Sequence, residues 1–243
     1  MKRHLLLSGG PNHDFAETTE VLIGLAADCG LETTVVDEPA ALFSALGGSA
    51  TADPAAWALV TVNALRWSMT QDRYADLRAS FEFEVAADDL RRLRYFVAEG
   101  GGLLALHTAV ICFDGHPMWH DLLGGTWNWN RSTHEPEQRA VVEPTPASLA
   151  HPGDFASAGF AVVDEVYRDL DLDNDVAALF TSQDRQGTHP VAWARTIERG
   201  RVFVDTLGHS AQSLRDPGHG DLIRSAWRWM LAGDDNSGGH HDG

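Results

Sequence analysis

Short runs of consecutive apolar residues alternate, in the first half of the chain, with stretches whose apolar positions recur at helical spacing. Leu5–Ser8 is one such run, closed by Gly9-Gly10-Pro11, and Phe15–Cys29 then sets Val21, Leu22, Leu25 and Ala26 on one helical face. The alternation continues through a stop at Gly30, a β-branched strand at Glu32–Val36, a short helix at Pro39–Leu46 and a strand at Ala58–Val62. A helix at Asp88–Val97 with Leu90, Leu93, Phe96 and Val97 inward then leads through Gly100-Gly101-Gly102 into the run Leu103-Leu104-Ala105-Leu106. Strands and helices in this order predict an α/β fold, a mostly parallel sheet with helices on both faces. Asn63–Glu84 lacks a clear period and interleaves Trp67, Met69, Tyr74, Phe81 and Phe83 with polar residues, as expected of an irregular lid or a subunit contact.

Beyond Leu123 the pattern changes. Ala140–Val142, Ala161–Val166, Ala177–Thr181, Val191–Ala194 and Arg201–Thr206 are short strand candidates separated by turns, which predicts antiparallel additions to the sheet. A last helix, Asp221–Leu231, turns Ile223, Trp227, Met230 and Leu231 inward. Residues 1–232 read as a single domain, and the Gly/Asp-rich residues 233–243 as a disordered tail whose His240-His241 pair is a poor metal site.

Composition narrows the partners. The 243 residues carry 35 acidic against 18 basic side chains, a formal charge of −17 that repels phosphate backbones and anionic membrane surfaces, so neither nucleic acid nor membrane is expected. Only two cysteines, Cys29 and Cys112, occur, both in segments read as helical, as in reduced, cytoplasmic proteins without a disulfide framework. The apolar run after Met1-Lys2-Arg3 is too short for a signal peptide, and no stretch of membrane-spanning length follows.

The candidate chemistry gathers at strand ends. His107 stands where the run Gly102–Leu106 stops, and in α/β folds the carboxyl ends of parallel strands collect reactive groups. An imidazole there suits acid–base or metal chemistry and argues against a serine or cysteine acyl-enzyme, although a histidine merely packed at a strand end is the plain alternative. His13 and Asp14 follow the first strand, His209 follows the last sheet strand, and Glu165 ends another strand candidate, so a doubly wound sheet would bring all four toward His107. Asp14 reads equally well as a helix N-cap, and Asp164-Glu165 as a solvated strand end. Trp127, Trp129 and His134 mix aromatic faces with an imidazole, as suits stacking on a sugar ring, but paired tryptophans also fill cores. His116 and His120 lie four apart, yet Pro117 and the absence of an H-E-x-x-H glutamate disfavour a zincin-like site. Gly9-Gly10 matches neither phosphate-binding glycine pattern, so no nucleotide is expected.

Six segments taken in order resemble the trehalose-utilization, ThuA-like family: Gly9–Phe15, Gly100–His107, Leu122–Gly125, Asp164–Tyr167, His189–Trp193 and Gly200–His209. The resemblance runs from about Leu5 to Leu231. It implies a flavodoxin-like, class I glutamine amidotransferase-like three-layer fold and a link to disaccharide or keto-sugar metabolism. In amidotransferases of that fold the elbow carries a cysteine activated by a histidine at a later strand end; this chain is similar, with His107 at the elbow and His209 at the later position. Thiolate-based glutaminase activity is therefore not expected.

Three readings follow. In the first, His107, His209 and Glu165 are the acid–base groups of an enzyme acting on a sugar, or hold a divalent metal, zinc by ligand type, with His13 and His134 completing the shell and His13, Asp14, Trp127, Trp129 and His134 binding the sugar. In the second, the chain is a non-catalytic sugar-binding or regulatory protein on the same scaffold. In the third, it is an assembly subunit, a homo-oligomer contact being made by Trp67, Phe81 and Phe83.

Overall fold

A computed structural model describes residues 1–48, 56–153, 155 and 158–233. The tail expected to be disordered spans residues 233–243, of which 234–243 lie outside the described residues.

The chain opens with β1 (Lys2–Gly9), α1 (Phe15–Asp28), β2 (Leu31–Val36), α2 (Pro39–Phe43) and β3 (Leu59–Ala64). There follow a one-turn α3 (Arg78–Phe81), α4 (Ala87–Ala98), β4 (Gly102–Leu106), α5 (Pro117–Leu123) and β5 (Gly125–Thr126). The second half supplies β6 (Gln138–Pro144), α6 (Pro146–Ala150), β7 (Phe160–Asp164), β8 (Asp171–Leu172), β9 (Ala178–Gln183), β10 (Thr188–Ile197), β11 (Gly200–Asp205), α7 (Ala211–Arg215) and α8 (Pro217–Leu231).

Nine strands form one sheet in the order β2-β1-β3-β4-β11-β10-β9-β6-β7. The five from β2 to β11 are parallel, and β10, β9, β6 and β7 continue antiparallel. The doubly wound α/β architecture with antiparallel additions is thus the one the hydrophobic pattern predicts. Alternation inside the apolar runs accounts for the three layers, because successive strand side chains point to opposite faces. Leu5, Leu7, Val60, Val62, Leu103, Ala105, Val202 and Val204 join one core with Leu42, Leu93 and Phe96. Leu6, Leu59, Leu104, Leu106 and Phe203 join the other with Leu22, Leu222, Ile223 and Trp227.

Close approach of backbones fixes two glycines. A Cβ on Gly200 would lie 1.8 Å from the Val97 carbonyl oxygen, so β11 can start beside the end of α4 only without a side chain. Gly10 has φ +143° and would set a Cβ 2.5 Å from the Leu65 carbonyl oxygen, which holds the turn after β1 against the segment leaving β3.

Several expectations are corrected. No α-helix follows the elbow directly: residues His107–Val110 form a 3-10 turn, Cys112 lies in the irregular turn beyond it, and α5 begins only at Pro117. Burial overrode periodicity here, since every residue from Gly101 to Phe113 is buried. Asn63–Glu84 is less irregular than its sequence: Asn63 and Ala64 finish β3, and a 3-10 turn at Asp72–Leu77 precedes α3. Trp67 is no interface residue, being 1% exposed within the core, while Phe81 and Phe83 pack half-buried against it. β7 ends at Asp164, two residues early, because the Asp164 carboxylate accepts the Glu165 amide and turns the chain out of the sheet.

Candidate functional site

Strand ends from both halves of the sheet aim four side chains at one point. His13 comes from the turn after β1, His107 from the end of β4, Glu165 from the end of β7 and His209 from the loop after β11. One ligand-type atom from each lies within 4.8 Å of all the others. The imidazoles stand edge to face, His13 to His209 at 4.7 Å, His13 to His107 at 5.2 Å and His107 to His209 at 5.4 Å between centroids.

The elbow residue is held hard. His107 takes φ +47°, a left-handed conformation rare for a non-glycine residue and typical of a side chain forced into position at a functional turn. Its Nδ1 lies 2.9 Å from the Thr206 carbonyl oxygen. A carbonyl only accepts, so Nδ1 carries the proton and Nε2 keeps its lone pair, facing the Tyr167 hydroxyl at 3.0 Å and Glu165 Oε2 at 3.7 Å. Burial, more than the neighbouring His13, drives the His107 pKa well below the histidine range. The ring is neutral at physiological pH.

His13 donates through Nδ1 to the Pro11 carbonyl oxygen at 3.3 Å, and its Nε2 is buried without a hydrogen-bond partner. Burial lowers its pKa, with His209 adding to the effect. His209 Nδ1 faces Glu165 Oε2 at 3.2 Å, an ion pair when the imidazole is charged. Glu165 Oε1 lies 3.2 Å from His134 Nδ1. Burial would raise the Glu165 carboxyl, but His134 and His209 outweigh it and hold the group far below the carboxylate range. Glu165 raises His134 and His209 in return, against the effect of burial.

The unpartnered His13 Nε2 lies with His107, His209 and the Glu165 carboxylate in a cluster that could hold a metal ion. Three nitrogens and one oxygen are donor types that fit a metal ion, and Thr206 fixes the His107 tautomer with the Nε2 lone pair left to bind. His134 is outside this quartet: it pairs with Glu165 Oε1, its side chain 40% exposed, and so buttresses Glu165. Glu165, expected as an acid–base group or as a metal ligand, stands within the quartet.

The other expected residues divide. Trp127 flanks the quartet through Tyr167 at 5.2 Å and His134 at 6.0 Å. Trp129 instead stacks on Trp67 at 6.1 Å and donates to Asp114 Oδ2 at 2.9 Å. Asp14 caps α1 by accepting the Glu17 amide at 3.0 Å. Sequence reading missed Tyr167 as a site residue, although it stands two positions after Glu165. It also missed Asp164, which accepts the amides of Gly208 and His209 and so aims the His209 loop. Cys112 is no hidden nucleophile, since its thiol is buried, lies 3.0 Å from the Ala64 carbonyl oxygen and is pushed up to about 12 by burial.

Fold and site together define a doubly wound, flavodoxin-like α/β protein with a histidine at the turn that ends β4. The ThuA family, described as trehalose utilisation, matches residues 49–230, and the chain belongs to that family. The matched stretch contains His107, Glu165 and His209; His13 precedes it. Among solved structures the chain is similar to a ThuA-like protein from Parabacteroides merdae, at 16% identity over 95% of this chain and 90% of that one, with a TM-score of 0.72. A ThuA-like protein from Bacteroides uniformis shares 16% identity over 98% and 94% of the two chains at a TM-score of 0.67. A protein from Salmonella typhimurium described as cytoplasmic shares 13% over 95% and 99% at 0.62. No curated protein matches the chain. Among the described residues no helix is long and apolar enough to cross a membrane.

Proposed function

We propose that the chain is a sugar-active enzyme of the cytoplasm whose His13–His107–Glu165–His209 quartet holds a divalent cation, zinc by donor type. The observation that carries this reading is the convergence of His13, whose buried Nε2 has no hydrogen-bond partner, with His107 and His209 on the Glu165 carboxylate. A bound cation would supply Lewis-acid polarisation of a carbonyl or hydroxyl. The protein's own residues supply orientation. Thr206 fixes the His107 tautomer, His134 holds Glu165 by one oxygen, and Asp164 anchors the amides of the loop that carries His209. Tyr167 places a hydroxyl beside His107 Nε2, and Trp127 offers an aromatic face next to it for a sugar ring. The carbohydrate class comes from family membership together with this aromatic and hydroxyl lining.

Elemental mass spectrometry on the full chain checks the centre. Wild-type protein is expected to carry a stoichiometric divalent metal, and His13→Ala and His209→Ala to lose it. Retention of the metal in both variants would refute the quartet as its holder. Sugar binding that survives complete metal removal, without turnover, would favour the non-catalytic binding protein instead.

A further inference from the structure

His107 has a single nitrogen with which to coordinate, and a neighbour already uses it. The Nδ1 proton is committed to the Thr206 carbonyl oxygen at 2.9 Å, so only the Nε2 lone pair can face a cation. The Tyr167 hydroxyl donates to that same lone pair at 3.0 Å. A zinc–nitrogen bond of about 2.0 Å is shorter than this hydrogen bond, so a cation on His107 would stand between the two atoms. One lone pair cannot accept a hydrogen bond and coordinate a cation at once. We infer that Tyr167 is a switchable donor at the centre: its hydroxyl leaves His107 when the site is loaded and then donates to an oxygen of the ligand bound there. This rests on the reading above that the quartet holds a cation.

His107 stays in place while the hydroxyl changes partner, because its left-handed backbone and the Thr206 bond fix the imidazole without help from Tyr167. Tyr167 is 2% exposed, with its ring centroid 4.7 Å from His107, 5.2 Å from Trp127 and 5.6 Å from His134. A hydroxyl displaced in so buried a place costs free energy until it finds another acceptor.

The protein acceptors beside it are taken. Glu165 Oε1 faces His134 Nδ1 at 3.2 Å, and Oε2 faces His209 Nδ1 at 3.2 Å. Asp164 accepts the amides of Glu165, Gly208 and His209 and the Ser213 hydroxyl, which uses both of its oxygens. The acceptor left to Tyr167 is therefore on the ligand, in the space walled by Trp127 and His134. Such a donor selects a carbonyl, carboxylate or hydroxyl oxygen and rejects an ammonium group.

Tyr167→Phe keeps the ring and deletes the hydroxyl. Zinc affinity of the full chain, read by competition with a chromophoric chelator, is expected to rise roughly tenfold in the variant, because loading no longer breaks a buried hydrogen bond. Zinc should perturb the tyrosine absorption of wild type and not that of the variant, since Tyr74 packs on Trp67 and Tyr95 lies exposed, both apart from the quartet. The zinc-loaded proteins are then titrated with acetohydroxamate, a small chelating oxygen ligand. Wild type is expected to bind it roughly tenfold more tightly than the variant, the reverse of the order for zinc. A merely structural tyrosine would weaken both affinities together on substitution, and that result would overturn the switch. Equal zinc affinities, equal or absent acetohydroxamate binding, or a tyrosinate band on loading, which would make Tyr167 itself a ligand, would overturn it too. All of these leave the quartet as the zinc holder, whereas wild-type protein that takes up no zinc overturns the quartet and the switch with it.

Discussion

At the residue scale, burial decides which ionisable groups keep their charge. His4 shows this away from the site: it is fully buried in β1 between Thr33 on β2 at 3.0 Å and Thr61 on β3 at 2.8 Å. Desolvation lowers its pKa to about 3. The unfolded chain takes up a proton near 6.5 and the native one does not, so the His4 contribution is complete above pH 6.5 and is lost as pH falls toward 3. At about 1.4 kcal/mol per pH unit the loss reaches on the order of 3 kcal/mol near pH 4. Denaturant unfolding of wild type and His4→Gln at pH 7 and pH 4 reads this directly: the gap between them should narrow in acid. A constant gap would mean that His4 does not titrate between the two states. The same rule explains Cys112. In native protein a thiol reagent should modify Cys29 alone, with Cys112 reacting only once denaturant is added, and rapid native labelling of both thiols would contradict the buried assignment.

At the element scale, the position of His209 depends on a buried polar chain beneath its loop. Asp205 at the end of β11 lies 3.0 Å from His219 Nε2 in α8; His219 Nδ1 is 2.9 Å from the Ser213 hydroxyl in α7; and that hydroxyl donates to Asp164 at the end of β7. Asp164 then accepts Gly208 and His209 amides at 2.7 Å and 3.2 Å. The helices α7 and α8 and the sequence-distant β7 are thereby tied to the strand end that carries the imidazole. Asp164→Ala would strand several buried donors, and a loss of roughly 3–5 kcal/mol in unfolding free energy is expected from removing one partner of such a network. Hydrogen exchange at Gly208 and His209 should rise in that variant by more than at β3, whereas a uniform rise would mean only global destabilisation. The α4–β11 junction is equally specific. Gly200→Ala, which drives a methyl into the Val97 carbonyl, should cost about 3 kcal/mol or more, and thermal unfolding within one degree of wild type would show that the junction relaxes freely.

At the scale of the whole molecule, the sheet order gathers the site from the two ends of the chain. β1, β4 and β11 are close neighbours in the sheet though almost 200 residues apart in sequence, so His13, His107 and His209 converge once the strands order as they do. Glu165 arrives differently. β7 is the far edge of the antiparallel extension, yet it packs on α7 and α8 and delivers its end to the same point. That return was not readable in the sequence, because short half-exposed strands such as β6 and β7 encode neither their partner nor the curl of the sheet. The parallel half was readable, because only a strand covered on both faces is apolar at every position, as in Leu5-Leu6-Leu7 and Leu103–Leu106. The helix expected after the elbow was misread for a related reason: His107–Phe113 is so uniformly buried that it has no polar face by which a period could be recognised.

The sequence by itself determined the three-layer class, the histidine at the elbow and the strand-end placement of His13, Glu165 and His209, since those follow from local apolar runs and from where they stop. Only the tertiary structure decided that Asp14 caps a helix, that Trp129 and Trp67 pack on one another, that His134 buttresses Glu165 from outside the quartet, and that Tyr167 and Asp164 belong to the site. The physical reason is range. Hydrophobic periodicity is fixed by neighbours a few positions apart, whereas the partner of a buried nitrogen is fixed by which strand ends meet, and the turns after β1, β4, β7 and β11 meet only when the whole sheet is in place.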